Sequence, residues 1–283
     1  MQSSKICSSC NKGDLSGIKK SSDSKPKWLR KHDYVKEFIS KQNKFQVHQR
    51  CKMSTSKIKL DLGKQFSNQM ILYWAANENK LSSPKIKSAK KAYGKFSNYG
   101  VAITDSNGAT IIYLDCPQPY KASYKNKHDD ISYFRHFHFV ISNSDRTKWL
   151  NTVYTKIYNC KVNQQFVRKA IKKGTYIIIN TLPSKYYGIS HIPLSYNLPY
   201  DTIPDMTIKE IKEWFQKVIQ ANYPKISNML SRNEIKLHEI PIIVYCAHDK
   251  CDASEQAAHS LNQKGIINIY EYLGGMKDWG FQI

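Results

Sequence analysis

No stretch of this chain approaches the ~18 consecutive apolar residues of a membrane-spanning helix, so a helical integral membrane protein is excluded. The opening residues, MQSSKICSSC, lack the apolar centre of a secretory signal, and a non-secreted, intracellular protein is expected. Acidic residues are scarce, with 22 Asp+Glu against 44 Lys+Arg. No internal repeat and no long low-complexity tract is present. The hydrophobic share of 41% is modest but compatible with packed cores, and 283 residues allow two domains or three small ones.

What is present is unevenly spread. Residues 1–60 hold 15 Lys+Arg against 4 Asp+Glu, whereas residues 161–283 hold 15 against 11. An anionic partner, nucleic acid above all, is therefore expected to meet the head. The competing reading is a solvated lysine-rich surface, since charge alone names no partner. The Lys-, Asn-, Ile- and Tyr-rich composition fits an AT-rich genome such as that of a large DNA virus or a protist, with the viral particle or the cytoplasm as location.

Three regions follow from the texture. Residues 1–60 form a basic region with little to bury; its "KHDYVKEFISKQ" has helical spacing at Tyr34, Val35, Phe38 and Ile39, and "GDLSGIKKSSDSKPKW" reads as loop. Residues 61–158 read as a small mixed β/α domain of unassigned role. There a helix is expected over "KQFSNQMILYWAANEN", and a β-hairpin around Ser106-Asn107-Gly108. "ISYFRHFHFVIS" reads as a strand, and "SDRTKWLNTVYTKIYN" as a helix capped near Ser144 or Asp145. From residue 159 onward, "YIIIN" and "IPIIVYC" are unbroken apolar runs of the kind buried on both faces of a parallel sheet. Between them, Thr207 and Glu210 form a capping box ahead of a stripe of Ile208, Ile211, Trp214, Phe215, Val218 and Ile219. "ASEQAAHSLNQKG" is a helix closed by Gly265, and "INIYEYLGG" a further strand. The alternation predicts an open α/β sheet with helices on both faces.

The seven cysteines suit metal and thiol chemistry better than a disulfide framework. "VYCAHDKCDAS" places Cys246 between a buried strand and a helix N-terminus. Unpaired backbone N–H groups and the positive helix end there favour a thiolate, with His248 and Lys250 adding positive charge. The loop residues Ala247, Asp249, Cys251 and Asp252 form a candidate anion cradle. Cys251, five residues on, is a candidate redox partner for Cys246.

Residues ~160–283 resemble the rhodanese-like (sulfurtransferase) family. The motifs in order are "IIINTLPSKYYGISHIPLSYNLPYD", "PIIVYC" and "YLGGMKDW", with His191-Ile192-Pro193, Asn197, Cys246, Gly274-Gly275 and Trp279 at compatible spacing. The resemblance implies a catalytic Cys246 that takes sulfane sulfur from a small donor as a persulfide and passes it to a thiol acceptor, with Lys250 and His248 assisting. There are departures. Asn180 and Leu182 stand where the family usually has Asp and Arg, Tyr186 replaces a usual Glu, and no arginine follows Cys246. That leaves a second reading, a catalytically degenerate module in a nucleic-acid-associated or virion-associated scaffold.

Two metal sites are weighed. Cys7-x-x-Cys10 and His48-x-x-Cys51 form a candidate structural C2HC zinc knuckle, the alternative being unpaired thiols. His136 and His138 share a strand face and can hold a metal with Cys116 or His128, although packing is the plainer reading. Cys160 reads as a small buried hydrophobe, and no organic cofactor is expected. The resulting expectation is an α/β protein whose C-terminal rhodanese-like open parallel sheet follows a mixed β/α region and a zinc-knuckle-like head.

Overall fold

The computed structural model describes residues 18–20, 29, 35, 55–78, 85–123 and 130–280. Among these, fifteen strands fall into four sheets. The C-terminal sheet is built from β11 (Cys160–Val162), β12 (Ile177–Asn180), β13 (Ser195–Asn197), β14 (Ile242–Tyr245) and β15 (Ile269–Tyr272). Its order is β11-β15-β14-β12-β13, and every pairing is parallel. All four residues of each of β12, β14 and β15 are buried, as a sheet covered on both faces requires.

Alternate residues of these strands feed two different cores. Ile177, Ile179, Ile242, Val244 and Ile269 pack with Ile211, Phe215 and Val218 of the helix Ile208–Asn222 and with Ala257, Ala258 and Leu261 of the helix Ala253–Gln263. The long helix starts where expected: the Thr207 side chain accepts from the Glu210 amide, and the Glu210 carboxylate accepts from the Thr207 amide. On the other face, Ile178, Ile243, Tyr245, Tyr270 and Tyr272 pack with Val167 and Ala170 of the helix Gln164–Lys173. That cluster continues without a break into Ile58, Ile112, Phe137, Phe139 and Ile141 of the preceding region.

Among the described residues, the preceding region is mostly β, with a short helix, Ala89–Tyr93, and neither of the two helices placed there from the sequence. Its main sheet runs β1 (Ile18–Lys20), β10 (Tyr154–Ile157), β9 (His136–Ile141), β3 (Met70–Ala75) and β5 (Tyr99–Ile103), antiparallel throughout. Beside it lie the ribbon β2 (Thr55–Asp61) with β6 (Ala109–Asp115) and a small sheet of β4 (Lys87–Ser88), β7 (Tyr120–Ser123) and β8 (Asp130–Tyr133). The expected helix over residues 64–79 is instead one 3₁₀ turn, Lys64–Phe66, followed by β3, whose Ile71–Ala75 are all buried between two neighbours. A short apolar run of this kind has no periodicity that separates a strand from a buried helix.

The expected helix at 144–159 is likewise absent. Asn143 Oδ1 accepts from the Thr147 and Lys148 amides, and Asp145 Oδ1 also accepts from Thr147. Those residues therefore build a turn, and the chain continues as β10. Residues 18–20, read as loop, are a strand. The turn at Ser106–Gly108 forms with Gly108 at φ 80°, but β5 and β6 ladder with β3 and β2 instead of each other. The expected strand "ISYFRHFHFVIS" is two, β8 and β9. Leu29 and Val35 are helical and buried.

A disulfide joins Cys116 to Cys160, 44 residues apart, tying the segment after β6 to the edge strand β11. This corrects two expectations, Cys160 as a plain hydrophobe and Cys116 as a metal ligand. Arg135 lies buried against the bridge. Its guanidinium donates to Pro117 O and Asn268 Oδ1 and sits 4.0 Å above the Tyr270 ring. Nearby, buried Glu239 accepts from Ser132 Oγ at 2.7 Å and pairs with Lys121 at 3.0 Å. Burial works to raise the Glu239 pKa, but the Ser132 hydroxyl, the Lys236 amide and the Lys121 ammonium together hold it below the usual glutamate value.

Candidate active site

Cys246 stands at the end of β14, and residues 247–252 turn the chain into the helix Ala253–Gln263. The turn is tightened by Cys251 N donating to His248 O at 3.0 Å and Lys250 N donating to His248 Nδ1 at 3.2 Å. Behind it, Met276 N donates to Cys246 O at 3.0 Å and Lys277 N to Ala247 O at 2.9 Å, so the Gly274–Gly275 turn packs directly under the loop. Gly275 has φ 56°, and a Cβ there would stand 2.3 Å from Cys246 O. Only glycine meets both demands.

The sulfur itself is buried. Sγ donates to Cys251 O at 3.2 Å, approaches His248 O at 3.7 Å, and shares a hydrogen bond with Ser254 Oγ at 3.5 Å. Burial pushes the Cys246 thiol up to about 11, hydrogen bonding to the Cys251 thiol pushes the same way, and the Ser254 hydroxyl and amide only partly oppose them. The expected thiolate-favouring cradle is thus corrected for this geometry. Two carbonyl oxygens face the sulfur, and carbonyls stabilise S–H. His248, Asp249, Lys250 and Asp252 line the loop's outer side, while Ala247 and Cys251 are half-buried. Among the described residues, neither the His248 ring nor the Lys250 ammonium hydrogen-bonds Sγ; they line the mouth of the loop.

Residues 163–281 match the model of the rhodanese-like domain. That stretch is a rhodanese-like domain. Solved structures similar to the chain include the human single-domain sulfurtransferase TSTD1, at 17% identity over 43% of this chain and 96% of that one, TM-score 0.33. The Saccharomyces cerevisiae single-domain sulfurtransferase RDL2 is 14% identical over 43% and 89%, TM-score 0.31. A rhodanese-related protein from Thermoplasma volcanium is 20% identical over 44% and 96%, TM-score 0.28. No curated protein matches the chain.

Within the rhodanese-like domain, the two departures near β12 are accommodated. Asn180 is fully buried; its Oδ1 accepts from Leu182 N at 2.9 Å and its Nδ2 donates to the Tyr245 hydroxyl at 3.1 Å. That hydroxyl also takes the Ile192 amide at 3.0 Å and shares a hydrogen bond with Ser195 Oγ at 2.8 Å. A neutral network occupies the place where an acid would need a partner, and Leu182 turns apolar toward the core. Tyr245, Ser195 and Ser254 were not singled out from the sequence. A Ser one residue into the helix after a cysteine loop is the one signal that could have found Ser254. His191 is exposed, stacked on Tyr187 with centroids 4.1 Å apart.

His136 and His138 do converge, Nε2 to Nε2 at 3.1 Å, with Tyr120 Oη 3.1 Å from His136 Nε2. Burial, with His136 alongside, holds the His138 pKa well below the usual histidine value. Among the described residues no group of three or more His, Cys, Asp or Glu is placed to hold a metal, and of the two alternative third ligands for this pair, Cys116 is spent in its disulfide. Cys7, Cys10, His48, Cys51 and His128 lie outside the described residues, as do Tyr34, Phe38 and Ile39. No helix among the described residues is long and apolar enough to cross a membrane.

Proposed function

We propose that residues 163–281 work as a sulfurtransferase that carries sulfane sulfur as a persulfide on Cys246. The observation that carries this reading is placement: Cys246 ends a buried parallel strand, its loop opens onto a helix N-terminus, and the Gly274–Gly275 turn closes it from below. In the reaction, Cys246 attacks the outer sulfur of a donor such as thiosulfate and expels sulfite; a thiol acceptor then takes the sulfur from the persulfide. The loop must release the S–H from its two carbonyls before attack, and Ser254 is the group in contact that favours the anion. A persulfide is a weaker base than a thiol, so loading itself relieves the burial cost. Thiosulfate-to-cyanide transfer by the full chain, lost in Cys246→Ser, tests the reading; equal background rates in both sink it.

A second reading is favoured by one observation, the complete burial of Cys246, which pushes its thiol up. Under it the domain is a catalytically degenerate docking module in a nucleic-acid-associated or virion-associated scaffold, and the wild type shows no transfer above Cys246→Ser. The basic head belongs to both readings. Its Cys7, Cys10, His48 and Cys51 offer three thiolates and an imidazole, a donor set suited to a closed tetrahedral zinc. Metal content that does not fall in a Cys7→Ser/Cys10→Ser variant removes that site. Phosphate contacts by the head require DNA affinity to drop steeply with salt.

A further inference from the structure

We infer that Cys251 is a resolving thiol, which converts the persulfide on Cys246 into a Cys246–Cys251 disulfide and releases hydrosulfide. The inference rests on the persulfide reading and extends it from sulfur transfer to sulfide release. The two cysteines are the free pair among the described residues, Cys116 and Cys160 being joined to each other. Both belong to one tight loop, and Cys246 Sγ is 3.2 Å from the Cys251 carbonyl oxygen. They differ in access: Cys246 is fully buried, while Cys251 is half-exposed at the mouth of the same loop.

Access decides how the sulfur leaves. An external acceptor must reach a buried atom, whereas Cys251 already stands beside it, with the proximity advantage of an intramolecular reaction. The tight turn that sets Cys251 N on His248 O brings the Cys251 backbone round to the Cys246 sulfur.

The chemistry balances as the Cys246 persulfide plus the Cys251 thiol giving the Cys246–Cys251 disulfide plus hydrogen sulfide. The Cys251 thiolate attacks the inner sulfur, the bond between inner and outer sulfur breaks, and its electron pair leaves with the outer sulfur. That sulfur is reduced to sulfide and takes the proton lost by Cys251; the two cysteine sulfurs are oxidised to the disulfide. Attack on the outer sulfur would instead expel the Cys246 thiolate. Thiol exchange runs faster through the weaker base as leaving group. Hydrosulfide is a far weaker base than a thiolate whose conjugate thiol is pushed up to about 11, so the inner sulfur is the productive target. An external dithiol then reduces the disulfide and returns both thiols.

The test uses the full chain, wild type and Cys251→Ser, each loaded once with thiosulfate and once with inorganic polysulfide, which persulfidates thiols without enzymatic help. After removal of the donor, intact mass and free sulfide are followed without reductant. The expected wild-type record is gain of one sulfur atom, then its loss together with two hydrogens, with sulfide released in stoichiometric amount. Peptide mapping places the new bridge at Cys246–Cys251. Cys251→Ser keeps the added sulfur and releases at least tenfold less sulfide. Persistence of the persulfide in wild type as in Cys251→Ser, under either donor, overturns the resolving role while leaving the proposed function standing. Loading by polysulfide but not by thiosulfate removes thiosulfate transfer and leaves the resolving step to be decided by the sulfide record of that arm. No loading of Cys246 by either donor takes down both.

Discussion

At the scale of single residues, the proton on Cys246 sets the barrier that the proposed chemistry has to overcome. Burial and the Cys251 thiol push that thiol up to about 11, so only a small fraction is ionised at neutral pH, and the fraction grows about tenfold per pH unit until the pKa is reached. Persulfide loading, or alkylation by a small haloacetamide, is therefore expected to rise about tenfold per unit from roughly pH 7 to pH 10, with no rise at this site in Cys246→Ser. A rate that levels off below about pH 8 contradicts the buried-thiol state. The same residue couples to stability. The folded chain holds this proton more tightly than the unfolded chain does, so its contribution is complete below the ordinary cysteine range and is lost as pH climbs toward about 11. The placement of Cys246 between a buried strand and a helix was legible because the apolar run before it and the helical spacing after it are both local signals. The polarity of its surroundings was not, because which backbone groups face the sulfur depends on how the loop residues turn, and here carbonyls of His248 and Cys251 arrive first.

At the scale of elements, legibility followed burial and capping chemistry. The helix Ile208–Asn222 was readable because its cap and its stripe are local signals that the fold preserves. Met70–Ala75 was not, since an apolar run buried on both sides carries no period, and its partners β5 and β9 lie far along the chain. At Asn143–Thr147 the same polar residues that cap helices closed a turn, and distant partners, Arg146 Nε to Asn68 O and Val35 N to Thr147 O, decide which outcome wins. The Gly274–Gly275 turn is where element and site meet. Gly275→Ala combines the left-handed cost of roughly 1–2 kcal/mol with a Cβ driven into Cys246 O. It is expected to lower the unfolding free energy by more than roughly 2 kcal/mol and to cut Cys246 loading sharply, whereas Gly188→Ala, where an added Cβ meets nothing within 4 Å, leaves loading unchanged. Denaturant unfolding and thiosulfate loading of both variants check this. Full loading in Gly275→Ala would show that the turn does not hold the loop.

At the scale of the molecule, the rhodanese-like sheet is not an isolated unit among the described residues: one of its two faces shares a core with Ile58, Ile112, Phe137 and Phe139. The uneven charge and the change of texture near residue 160 were readable along the sequence, but this shared face was not, because it is a property of two distant segments meeting. The Cys116–Cys160 bridge belongs to the same seam. A cysteine count cannot name a pair whose partners lie 44 residues apart, one just after β6 and the other in β11. Closing a 44-residue separation removes chain entropy from the unfolded state worth about 4 kcal/mol. Arg135 packs its guanidinium over Tyr270 and toward both sulfurs, so loss of the bridge also loosens a buried cation. Cys116→Ser/Cys160→Ser is therefore expected to lose about 3–4 kcal/mol in denaturant unfolding. Persulfide loading of Cys246, which directly follows β14 and not the bridged edge strand β11, is expected to hold within about twofold. Such bridges persist in oxidising surroundings and are kept open by cytosolic thiols. The oxidised fraction at these two positions, measured by thiol trapping on freshly lysed cells, thus reports where the chain folds. A fully reduced pair with undiminished stability would mean that the apolar seam, and not the bridge, holds the two sheets together.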